Sequence, residues 1–102
     1  MKKILVIEDE PEMRRNITAL LRYHDYEPIS AATGREGVEA ARREKPDLVL
    51  CDVMMPVMDG YGVIQALQAD ASLACIPFIF LTAKGEKDDL RSGMNLGAEQ
   101  RL

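Results

Sequence analysis

The sequence predicts an α/β domain, a parallel sheet with helices on both of its faces. Three observations lead there. Short apolar runs alternate with helix-period segments, the connections between them are short, and three of the four runs are apolar at both side-chain parities, as strands covered on both faces are. With 102 residues, 47% of them hydrophobic, the chain suffices for one core and not for two, so residues 1–102 are expected to form one domain.

The elements follow in order. KILVI, residues 3–7, is a continuous β-branched and leucine run of strand length. Pro11 suits a first helical turn, with Asp9 or Glu10 available as cap, and Met13, Ile17, Leu20 and Leu21 supply an apolar face for a helix ending near Tyr23. EPISA, residues 27–31, is a weaker and more polar strand whose Pro28 assigns it to a sheet edge. Thr33, Gly34, Arg35 and Glu36 match the S/T-x-x-E capping box and open a helix running to about Glu44, with Val38 and Ala41 inward. DLVLC is the third strand. Residues 61–68 form the third helix on a stripe of Val63, Ile64 and Leu67, with Asp59-Gly60 supplying turn and cap. PFIFL, residues 77–81, is the fourth strand, and residues 87–96 a fourth helix that Gly97 would end.

Composition removes several function classes. A formal net charge of −4 leaves no basic footprint for direct nucleic-acid binding. No apolar run approaches the ~18 residues of a membrane span, and acids interrupt MKKILVIEDE too early for a secretory signal. Cys51 and Cys75 form no disulfide framework and read as reduced, non-catalytic thiols of a cytoplasmic protein. The single histidine, His24, follows the first helix and reads as a surface or packing residue rather than a metal ligand or acid-base group.

Chemistry concentrates at the strand ends. The first strand runs into Glu8-Asp9-Glu10, and the third, the most hydrophobic, ends on Asp52. If the polar second strand is at the edge, the first and third are neighbours, and ligands of open α/β sheets bind where the strand order reverses. Glu8, Asp9 and Asp52 then share one pocket, where their mutual repulsion raises at least one pKa unless a hard divalent cation such as Mg²⁺ takes the oxygens. Thr82, at the end of the fourth strand, would face the same pocket with a hydroxyl able to donate to a phosphoryl oxygen on Asp52.

The ordered set ILVIEDE, PDLVLCDVMMPVMDGYGV, IPFIFLTAK and LRSGMNLGA resembles the receiver domain of bacterial two-component response regulators, over essentially the whole chain. The resemblance implies a flavodoxin-like fold with strand order 2-1-3-4. It implies that Asp52 accepts a phosphoryl group from a sensor histidine kinase or phosphotransfer protein. It further implies Mg²⁺, with Mn²⁺ as a substitute, on Glu8, Asp9, Asp52 and the backbone carbonyl of Met54, and a switch hydroxyl at Thr82. A carboxylate attacking phosphorus gives an acyl phosphate, with positioning and metal charge supplying most of the catalysis.

The chain departs from that pattern after LGA. It reads EQRL, placing Arg101 where the family usually has Tyr or Phe, and the family's lysine, fifth strand and fifth helix do not follow. A receiver domain shortened or altered at its C-terminus is therefore expected. It should form a homodimer through an exposed fourth strand and an uncovered sheet face. The main rival is a non-signalling interaction or dimerisation domain that keeps the fold without the chemistry. A phosphatase of the haloacid-dehalogenase kind would want an acid at position 54, which is Met54. A nucleotide- or flavin-binding domain would want a phosphate loop after the first strand, where only carboxylates stand.

Overall fold

The computed structural model describes residues 1–81. Within them lie β1 (Lys3–Ile7), α1 (Pro11–Tyr23), β2 (Glu27–Ala31), α2 (Gly34–Glu44), β3 (Leu48–Asp52), α3 (Gly60–Gln68) and β4 (Phe78–Leu81). The expected fourth helix, Thr82 and Arg101 lie outside the described residues. All pairings are parallel and the order is β2-β1-β3-β4, so Pro28 sits in an edge strand as its sequence required.

The order fixes the layers. From β1 to β2 the chain steps one way across the sheet, and from β2 to β3 it steps back. Right-handed crossovers therefore put α1 and α2 on opposite faces, and α3 joins α2 because β3 to β4 continues in the same direction. Burial agrees with this. The core between the sheet and the α2–α3 layer contains Leu5, Ile7, Val49, Cys51, Phe78 and Phe80 from the strands, with Val38, Ala41, Val63, Ile64 and Leu67 from the helices. Residues of the other parity turn to the α1 face. There Ile4 and Val6 are buried, whereas Leu48, Leu50, Ile79 and Leu81 are only half-buried.

Helix α1 packs on β2 and β1 and has no fully buried residue. Leu20, expected on its inward face, is 58% exposed, since among the described residues the helix packs mainly against those two strands. Its N-cap position is Glu10, but no side chain caps it: the Glu10 N–H instead donates to Oε2 of Glu8 at 3.1 Å. The α2 cap forms as the sequence suggested, with Glu36 N–H donating to Thr33 Oγ1 at 3.1 Å. The return bond to Glu36 Oε1 comes from the N–H of Ala32, one residue before the cap, at 3.1 Å. Helix α3 starts at Gly60, and Asp59 caps it by accepting the N–H of Gly62 at 2.9 Å.

Candidate metal centre

Glu8 and Asp52 are placed by strand register. Ile4 pairs with Leu48 and Val6 with Leu50, so the next positions of that parity, Glu8 and Asp52, stand side by side on one sheet face at the carboxyl ends of β1 and β3. Glu8 continues the ladder, its N–H donating to the Ala31 carbonyl at 3.1 Å, and Asp52 pairs with Leu81 of β4. Each offers a carboxylate oxygen, and with Asp9 these lie within 4.8 Å of one another. Glu8 and Asp52 are each only 5% exposed, while Asp9 is open to solvent. The three acids that the sequence brings to one edge therefore form one cluster.

Its electrostatics are those of a site short of positive charge. Burial pushes the Glu8 carboxyl from its ordinary 4.5 to about 7. The N–H of Glu10 opposes that shift, while the charge of Asp52 and hydrogen bonds to Asp9 and Asp52 add to it. Burial raises Asp52 as well, against the Met54 N–H and the hydrogen bond from Glu8, and the charge of Asp9 adds to the rise, so the two acids titrate as a pair. Among the described residues no ion pair reaches any of the three carboxylates. Two buried acids and one exposed acid, all oxygen donors and none neutralised by a lysine or arginine among the described residues, fit a hard divalent cation with water in its remaining positions.

The surroundings fix Asp52 more tightly than its sequence suggests. Met54 N–H donates to Asp52 Oδ1 at 3.3 Å, so the Met54 backbone lies against the acid while its side chain is 59% exposed. The structure leaves no room beside the Asp52 carbonyl: a Cβ on Gly60 would lie 2.6 Å from that oxygen. Gly60, expected only as a turn residue, thus lets the start of α3 close onto the end of β3, and its N–H donates to the Val53 carbonyl at 2.9 Å. Arg14 was not singled out by the sequence. Its guanidinium donates to the Glu8 carbonyl at 2.7 Å and ties the first turn of α1 to the strand end. A basic residue one turn into the helix after an acidic strand end is the signal that was available. Cys51 lies next to Asp52 but in the core, and burial pushes its thiol well up, so it is inert.

An open parallel sheet of this order, with acids gathered at its switch point, defines a flavodoxin-like domain of the receiver kind. Residues 4–102 match the response regulator receiver domain, and the chain belongs to that family. It is 37% identical over 102 residues to protein PilH of Pseudomonas aeruginosa, covering all of this chain and 84% of that one. It is 44% identical over 101 residues to a probable transcriptional regulator, ycf27, of Porphyridium aerugineum, covering 99% of this chain but 41% of the regulator. The chain thus spans about two-fifths of the length of such regulators. Among solved structures, the receiver domain of sensor histidine kinase PA1611 from Pseudomonas aeruginosa superposes with a TM-score of 0.88 at 32% identity, covering 99% of this chain and 83% of that one. That domain is described with a magnesium ion coordinated in its active-site cleft. The chemotaxis protein CheY4 of Vibrio cholerae superposes with a TM-score of 0.87 at 29% identity, covering all of this chain and 85% of that one. Receiver domains are signalling modules rather than conventional enzymes. No helix among the described residues is long and apolar enough to cross a membrane.

Proposed function

We propose that this receiver domain takes a phosphoryl group onto Asp52 from a sensor histidine kinase or phosphotransfer protein and alters its protein contacts in response. The observation that carries the reading is the cluster of Glu8, Asp9 and Asp52, three carboxylates with no cationic partner among the described residues. Mg²⁺ would be held by these acids and the Met54 carbonyl, with Mn²⁺ able to replace it. When bound, the metal supplies charge that draws the phosphoryl oxygens towards Asp52.

The residues of the chain do the rest. Asp52 presents a carboxylate oxygen as nucleophile, fixed by β3 pairing and by the Met54 N–H. Glu8 would release its proton on binding a metal, since a ligating carboxylate must be ionised, and the apolar strand ends beneath hold the acids in place. Thr82 would donate its hydroxyl to the phosphoryl oxygen once formed and carry the change into the sheet edge. A homodimer through β4 is part of the proposal. It is favoured by an outer β4 edge that pairs with nothing among the described residues, and by the half-buried Leu50, Ile79 and Leu81.

Incubation with acetyl phosphate and Mg²⁺, followed by intact-mass measurement, tests the reading. One added phosphoryl group is expected in the parent chain and none in Asp52→Asn. Labelling that survives the substitution would remove Asp52 from its role.

A further inference from the structure

The turn from β1 into α1 carries Glu8 and Asp9, and a cation from α1 is fastened to its backbone. Pairing of β1 with β2 ends at Ile7 and Ala31, so the Glu8 carbonyl lies beyond the ladder. Arg14, half-buried one turn into α1, reaches it there: Nη1 donates to the Glu8 carbonyl oxygen at 2.7 Å, a short, charge-assisted bond. Glu8 is then held along its whole length. Its N–H donates to the Ala31 carbonyl at 3.1 Å, its Oε2 accepts the N–H of Glu10 at 3.1 Å, and its carbonyl accepts the guanidinium.

Asp9 lies outside both elements and is open to solvent. The peptide that carries the Glu8 carbonyl also carries the Asp9 nitrogen, and that unit is planar. Fixing the oxygen therefore fixes how the chain enters Asp9. Arg14 does this without consuming the acids. Among the described residues no ion pair links it to Glu8, Asp9 or Asp52. A guanidinium on those carboxylates would compete with a divalent ion for their oxygens, whereas one on the carbonyl orders the turn and leaves them available.

We propose that Arg14 is a positioning residue for a divalent cation at the acid cluster, turning the Glu8–Asp9 peptide so that both carboxylates meet the ion together with Asp52. The inference rests on the cluster holding such an ion, as in the function proposed above. Groups that orient metal ligands without touching the metal typically govern affinity by about ten- to a hundredfold. Charge alone makes the opposite demand. A guanidinium near the cluster repels a divalent ion, so its removal would tighten binding if Arg14 acted only through its charge. If Arg14 served only to anchor α1, its removal would lower stability and leave affinity unchanged. The sign of the change separates the three roles.

The test measures Mn²⁺ affinity from the free-ion EPR signal in the parent chain, Arg14→Gln and Arg14→Lys, with urea unfolding in EDTA alongside. Glutamine is a good helix former and α1 has no fully buried residue, so Arg14→Gln should keep the fold. It is expected to bind Mn²⁺ about tenfold more weakly than the parent chain. Arg14→Lys, which keeps a donor for the carbonyl but not the planar fork, is expected to fall between the two. Equal or tighter binding by Arg14→Gln overturns the inference. An Arg14→Lys chain that binds no better than Arg14→Gln also overturns it, because the loss would not follow the bond to the carbonyl. A parent chain that binds no Mn²⁺ removes the ion from the proposed function, and the role of Arg14 falls with it.

Discussion

Glu8 is the residue at which the proposed metal, a proton and stability would meet, and Glu8→Gln separates them. Burial raises the Glu8 carboxyl from 4.5 to about 7 in the folded chain. The folded state therefore holds a proton between those values that the unfolded state has released. The resulting stability is fully present below pH 4.5 and is lost as pH rises to about 7. The difference corresponds to about 3 kcal/mol, an upper bound because Glu8 and Asp52 titrate together. Asp52 is raised too and acts in the same direction, whereas Glu44 and Asp70 are lowered and titrate below the window of interest. Urea unfolding from pH 5 to 8 without divalent ions should show the parent chain losing stability with rising pH. Glu8→Gln should lose less and be the more stable protein at pH 8. Added Mg²⁺ should reverse the order, stabilising the parent chain increasingly as protons leave the site and Glu8→Gln only weakly. A parent chain that gains stability from pH 5 to 8 in EDTA, or a variant no more stable than it at pH 8, would refute the reasoning.

Three further outcomes follow from the packing. Gly60→Ala, whose Cβ would meet the Asp52 carbonyl at 2.6 Å, should cost about 1–3 kcal/mol in urea unfolding and weaken the thermal shift produced by Mg²⁺; an unchanged shift would mean the contact does not position Asp52. Val57→Asn, better suited to φ 67°, should stabilise the chain by about 1 kcal/mol, checked by the same unfolding curves; a loss of stability would show that the loop is not strained. At micromolar concentration, sedimentation should find a homodimer that Ile79→Lys dissociates, and a well-dispersed monomer of the parent chain would contradict pairing through β4.

The sheet was legible in the sequence because each strand carries its own signal. The double-parity runs at residues 3–7 and 48–51 mark β1 and β3 as central, and Pro28 marks β2 as an edge. The acid cluster followed once those neighbours were known, since register alone sets Glu8 beside Asp52. What the sequence did not disclose depends on approach through space. Nothing local to Gly60 says that a carbonyl from β3 will crowd it, and nothing in Met55-Pro56-Val57-Met58 announces a left-handed valine. Leu20 has the spacing of a core residue, yet how much of a helix stripe is covered depends on what the helix packs against. Asp9 and Glu10 both offered a carboxylate to cap α1, yet no side chain caps its first turn, an outcome of local geometry that spacing alone does not resolve.

The central claim is that Asp52 becomes an acyl phosphate by virtue of the acids around it. The direct measurement is borohydride reduction after treatment with acetyl phosphate, which converts an aspartyl phosphate to homoserine, followed by peptide mass mapping with Mg²⁺ and with EDTA. The account predicts homoserine at position 52, in Mg²⁺ only, and its loss in Asp9→Asn. Homoserine at another aspartate, or equal conversion of Asp52 in EDTA, would contradict it.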